Sequence, residues 1–119
     1  MKINEAISKA CELRPNILTS DVFLTWLSSL DGRVHTEIFE SQEAFIPYTQ
    51  GDENKELSLP TPYDDIYVYY LMAMIDFANS DYDKYANDMS MFNSKFEEYS
   101  KYYIRTNTKK ETTHFKNIW

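Results

Sequence analysis

Residues 82–103 read YDKYANDMSMFNSKFEEYSKYY, and their spacing decides the fold. Tyr82, Tyr85, Met89, Phe92, Phe96, Tyr99 and Tyr103 recur in strict steps of three and four, the apolar seam of a helix that packs lengthwise on a neighbour. The neighbour is read directly upstream. Tyr63, Ile66, Tyr67, Tyr70, Leu71, Met74, Phe77 and Ala78 make a wide apolar helical face that ends near Asn79-Ser80. Thr61 as cap, Pro62 as first helical residue, and Asp64 and Asp65 in the first turn mark its start. Residues 62–79 and 82–103 are therefore predicted to form an antiparallel helical hairpin zipped by aromatic side chains.

Further toward the N-terminus the period stays helical. Ile3, Ile7, Ala10 and Cys11 predict a helix over 4–13, with Asn4 as its cap and Pro15 as its stop. Ser20 is the expected cap of a second helix, with Asp21 well placed at the positive end of its dipole. Its stripe runs Phe23, Trp26, Leu27, Leu30, Val34 and Ile38. Asp31-Gly32 would read as a turn in isolation, and a helical glycine costs about 1 kcal/mol. The stripe keeps its phase across the pair, which predicts one helix over 20–40.

Residues 41–62 break the pattern with Pro47, Gly51, Pro60 and Pro62. Two short apolar pieces, Phe45–Tyr48 and Leu57–Leu59, flank a polar run, as expected of a short β-hairpin or a long loop. A loop of this length in a small domain is a candidate contact element. Phe45, Tyr48, Leu57 and Leu59 are its candidate partner-binding side chains. The expected fold is thus mainly α: a small bundle of about four helices over 1–103, followed by an extended C-terminal tail over 104–119.

Composition agrees with that fold. Only two glycines occur in 119 residues, where average usage gives about eight, so tight turns and strand bends are scarce. Ten Tyr, seven Phe and two Trp supply large rings, and the tyrosines add a polar tip suited to half-buried seams and interfaces. Cys11 is the single cysteine, which excludes an internal disulfide and fits a reducing cytosol. The opening Met1–Glu5 lacks the apolar run of a signal peptide, and no stretch reaches the length of a membrane span.

Charge divides the chain. Residues 1–103 carry eight basic and eighteen acidic side chains, a net of −10, whereas Arg105, Lys109, Lys110 and Lys116 against Glu111 give the tail +3. An acidic body repels phosphates and disfavours duplex binding. A basic tail that also carries Phe115, Ile118 and Trp119 has the charges and apolar anchors of a segment that grips an acidic partner. Arg105, Lys109, Lys110, Phe115, Ile118 and Trp119 are the candidate anchor residues.

Reactive constellations are not evident. His35 and His114 are the only histidines, and with Cys11 they offer no zinc-site spacing. Cys11 lies on an apolar helix face, where a packed thiol is the default. Two glycines nineteen residues apart cannot make a phosphate loop. Asp81, Asp83 and Asp88 superficially suggest a calcium loop but lack its central glycine and terminal glutamate. No catalytic residue, cofactor or metal is expected.

Several short motifs resemble a recurrent pattern. They are Pro62-Tyr63-Asp64-Asp65-Ile66-Tyr67-Val68-Tyr69-Tyr70-Leu71, Ile75–Asn79, Tyr85-Ala86-Asn87 and Met91-Phe92-Asn93, preceded by Ile3–Ile7, Leu13–Asn16 and Trp26–Gly32. Together they resemble the head–tail connector proteins, also called adaptors or head-completion proteins, of tailed phages and prophages of Gram-positive bacteria. The resemblance spans most of residues 1–103 and leaves the tail unmatched. It implies a helical bundle, twelve copies of which form a ring beneath the portal protein, extend the DNA channel without specific DNA binding, and offer a docking surface to tail-side connector proteins. It further implies a place at the head–tail interface of the virion after assembly in the host cytoplasm, and a C-terminal segment that reaches onto the portal. A reading from a different class is a small acidic regulatory protein that inhibits a host or phage protein by mimicking DNA.

Overall fold

The computed structural model describes the backbone of residues 1–118 and the side chains of residues 1–107. The described residues form four helices, α1 (Ile3–Leu13), α2 (Ser20–Arg33), α3 (Asp65–Ala78) and α4 (Tyr82–Ile118), joined by turns and the 41–62 loop. A π-helical turn, Val34–Ile38, prolongs α2.

The α3–α4 hairpin is the spine, and its register is readable ring by ring. Tyr63 packs on Tyr99 with ring centroids 4.9 Å apart, Tyr70 on Phe92 at 5.1 Å, and Phe77 on Tyr85 at 5.3 Å. Each advance of seven residues along the first segment meets a retreat of seven along α4, as an antiparallel heptad seam requires. The turn between them is a Schellman closure: the Asp81 N–H bonds the Asp76 carbonyl at 2.8 Å and the Ser80 N–H bonds the Phe77 carbonyl at 3.1 Å. Ser80 takes the left-handed conformation, φ 59°, where glycine is usual.

α3 is the central element. Ile66, Tyr67, Val68, Leu71, Met72, Ala73 and Ile75 are all buried, so it is apolar around most of its circumference. α1 covers one side through Ile3, Ala6 and Ala10, α2 another through Phe23, Leu27 and Leu30, and Phe92, Phe96 and Tyr99 of α4 complete the core.

Four sequence expectations need correction. The start of α3 lies at Asp65, because residues 61–64, Pro62 among them, form a turn. The caps of α1 and α2 are Lys2 and Thr19, one or two residues ahead of Asn4 and Ser20. The apolar pieces of 41–62 do not pair with each other as a hairpin. Instead Lys2 makes an isolated antiparallel bridge with Glu56, supported by Ile3 N–H to Lys55 carbonyl at 3.0 Å and Leu57 N–H to Met1 carbonyl at 2.9 Å. Finally, the tail is not extended over 104–118, because α4 continues through Ile118, and Trp119 lies outside the described residues. Past Tyr103 the apolar stripe ends but the helix does not. Thr106 Oγ1 donates to the Tyr102 carbonyl at 2.7 Å, and Asn107 Nδ2 donates to the Tyr103 carbonyl at 2.8 Å, so poor helix formers are satisfied on the helix itself.

Candidate functional site

The two elements marked as candidate contact surfaces, loop 41–62 and the C-terminal segment, lie in very different settings. The loop is fastened to the bundle by one carboxylate. Asp31 sits in the middle of the α2 stripe and is fully buried. A buried carboxylate needs donors for its lone pairs. Its Oδ1 accepts the Tyr67 hydroxyl, and its Oδ2 accepts the Tyr48 hydroxyl together with the Ser58 N–H at 3.2 Å and the Ser58 hydroxyl at 3.1 Å. Tyr67 also accepts the Leu59 N–H at 2.8 Å. One aspartate thereby pins both ends of the loop and one residue of α3.

Burial, with the Asp31 carboxylate beside them, pushes both tyrosine hydroxyls well above the ordinary tyrosine range, so both remain donors. Nε2 of His35 lies 2.9 Å from the Ser58 hydroxyl. Because that hydroxyl spends its one hydrogen on Asp31, His35 must donate through Nε2. Serine, histidine and aspartate meet here, but the aspartate bonds the serine and not the histidine. The order that would orient a general base is absent from this trio. Its chemistry is that of a fastening.

Phe45 follows the same logic. Its ring lies against Gly32, where an added Cβ would approach Cδ1 to 3.3 Å, and against His35 and Tyr48 with centroids 5.2 and 5.5 Å away. The Tyr48 N–H bonds Ser28 Oγ at 2.8 Å. Phe45 and Tyr48 are half-buried on α2, and Leu57 and Leu59 are core residues at 5% and 1% exposure. Leu57 and Leu59 therefore leave the set of side chains free to touch a partner. Ile46, 81% exposed, is the apolar side chain that the loop turns outward. Sequence reasoning missed it, and also missed Asp31. The signal for Asp31 was present: an acid inside an unbroken apolar stripe, next to the one glycine against which a ring can lie.

The C-terminal segment is the opposite case. Among the described residues, Tyr103 makes the last ring contact with the bundle, to Phe39 at 5.1 Å. Ile104 is 59% exposed, and Arg105, Thr106 and Asn107 are exposed. Arg105 holds its guanidinium 5.8 Å from the Tyr102 ring. Lys109, Lys110, Phe115 and Ile118 belong to the continuing helix, but their side chains, and Trp119 altogether, lie outside the described residues. Fifteen residues, 104–118, continue α4 past Tyr103 by about 22 Å at helical rise.

A groove between α1 and α3 is lined by Leu13, Val68, Tyr69 and Met72 together with Lys9 and Glu12. Among the described residues no group of three His, Cys, Asp or Glu side chains is arranged to hold a metal ion, and no helix is long and apolar enough to cross a membrane. Compared with protein-family models, with curated proteins and with solved structures, the chain has no match.

Proposed function

We propose that the chain is a virion structural protein, a head–tail connector adaptor that forms a ring of identical copies on the portal protein and presents a docking surface to tail-side proteins. The observation that carries this reading is the continuation of α4 past Tyr103 to Ile118, with Ile104, Arg105, Thr106 and Asn107 exposed. The sequence from residue 104 onward adds four basic residues and the apolar Phe115, Ile118 and Trp119. Such an element is suited to a groove on another subunit, read through anchors three or four residues apart. The motifs that resemble those of phage connector proteins suggest the assembly in which this would occur, a portal ring at the head–tail interface.

In this reading Arg105, Lys109, Lys110, Phe115, Ile118 and Trp119 form the portal anchor. Ile46, beside Phe45 and Tyr48, is the loop's contribution to a neighbouring copy or to the next tail-side ring. The acidic body lines or flanks a channel through which DNA passes without sticking. The regulatory alternative needs carboxylates displayed on one face like phosphates. It is the weaker reading, because Asp31, Asp76 and Asp88 are spent inside the bundle.

The test is a truncation and a pull-down. Deleting residues 105–119 should leave a folded bundle that no longer co-purifies with the portal protein, and the intact chain should be found by mass spectrometry in purified particles. Undiminished portal binding by the truncated chain would remove the C-terminal segment as the anchor. Absence from particles, with stoichiometric capture by a nuclease or repressor, would transfer the function to the regulatory class.

A further inference from the structure

At the end of the bundle away from the loop, three ionisable side chains meet from three elements. Arg14, the residue that ends α1, donates from Nε to Asp76 Oδ1 of α3 at 3.0 Å and from Nη2 to Asp88 Oδ2 of α4 at 3.0 Å. Its Nη1 donates to the Leu13 carbonyl at 3.0 Å. Asp76 and Asp88 are buried, at 2% and 7% exposure. Among the described residues these are the charged side chains bonded at the site. Asp81 and Lys84 at the start of α4 pair with each other at 3.5 Å, and Glu12 of α1 is exposed.

Two carboxylates against one guanidinium leave a surplus negative charge out of water, an arrangement that is strongly unfavourable when uncompensated. Asp76 is also in the last turn of α3, where the carbonyl end of the dipole opposes an anion. The decisive detail is Asp76 Oδ2, which is buried and has no hydrogen-bond partner. As a bare carboxylate oxygen it would be an orphan acceptor. As a hydroxyl beside Asp88 it becomes a donor, and the site becomes neutral and fully bonded.

We propose that Asp76 carries a proton in the folded protein near neutral pH, donates it from Oδ2 to Asp88, and forms with Arg14 a proton-dependent latch that ties the end of α1 to the α3–α4 hairpin. The inference is independent of the phage reading, since it rests on this trio alone. Burial first, and then the hydrogen bond and charge of Asp88, raise the Asp76 carboxyl to about 7, with Arg14 pulling the other way. An acid whose affinity for its proton is raised on folding stabilises the fold at low pH and loses that contribution as pH rises toward its folded value. The window runs from about 4, the unfolded value, to about 7. Above it the latch holds two charged acids, and loop residues 14–19 are the first to loosen.

The experiment is a carbon-13 carboxyl titration of the intact protein by NMR. Asp76 should titrate with a midpoint near 7. A midpoint below about 5, in the ordinary aspartate range, would show an ionised Asp76 and overturn the proposal. A second measurement uses Asp76→Asn, whose amide can donate to Asp88 while its oxygen accepts from Arg14. Between pH 5 and pH 8 the wild-type melting temperature should fall by roughly 5–10 °C relative to the variant. Parallel curves would count against the latch, and if the variant does not fold the wild-type titration decides alone.

Discussion

The bundle buries an aspartate near each of its ends, and the two are satisfied by opposite means. Asp31 is surrounded by neutral donors: two tyrosine hydroxyls, one serine hydroxyl and one backbone N–H. Asp76 shares a single arginine with Asp88 and keeps one oxygen without a partner. A carboxylate held by neutral donors needs no counter-charge and fixes geometry, because each donor has one place to go. A carboxylate held by competition for one cation is sensitive to protons instead. The first end binds the long loop permanently, and the second binds the α1–α2 connection conditionally.

The largest effect is expected where the neutral-donor site is emptied. Asp31→Ala leaves Tyr48, Tyr67 and Ser58 without their acceptor, and should destabilise the fold by about 3–5 kcal/mol in urea unfolding. A loss under 1 kcal/mol would mean that water enters and that the loop is not fixed by this residue. Arg14→Met comes next, at about 2–4 kcal/mol near pH 8, because it leaves two buried acids with no cation. Its cost should shrink toward pH 6. Arg14 lowers the Asp76 carboxyl, so removing it raises that group further and lets the proton stay on. A cost independent of pH would erase the distinction between the two ends.

A smaller change separates the donors within the first end. Tyr48→Phe deletes one hydroxyl but leaves Asp31 with three bonds and the ring in place. It should cost about 1 kcal/mol and speed proteolysis in the exposed tip from Gln50 to Lys55, with α3 unaffected. Tyr67→Phe should cost more, since it also orphans the Leu59 N–H. Equal losses for the two variants would mean that the loop and α3 respond as one unit.

How far the sequence foretold this structure differs between the hairpin and its ends. The heptad from Tyr82 to Tyr103 determined both the helix and its partner, because ring spacing alone sets an antiparallel register, and Tyr63, Tyr70 and Phe77 meet their rings as that register requires. The helix across Asp31-Gly32 was legible for the same reason. The burial of Leu57 and Leu59 was not, since a short apolar piece in a loop looks the same whether it faces a partner or its own core. Nor was the reach of α4 past Tyr103. Periodicity reports packing, and the apolar stripe stops at Tyr103 although the helix continues. Buried acids are the hardest case: Asp31, Asp76 and Asp88 look like ordinary surface aspartates until their distant partners are known, and those lie between 17 and 74 residues away.

Gly32→Ala probes how firmly the loop end is held, with the smallest expected change. Alanine is favoured over glycine in a helix by about 1 kcal/mol, because the unfolded chain has less freedom to lose. Against this, its Cβ would stand 3.3 Å from the Phe45 ring, closer than an easy contact. That ring is half-buried and attached to a loop, so it can move by a few tenths of an ångström unless Tyr48 and Asp31 hold the loop rigidly. A net stabilisation of up to about 0.5 kcal/mol is expected, with Phe45 shifting slightly away from α2. Destabilisation by more than about 1 kcal/mol would show instead that the network under Asp31 extends its rigidity to Phe45. In Tyr48→Phe, where that network is loosened, the same Gly32→Ala change should become more favourable, and the difference between the two backgrounds measures the coupling directly.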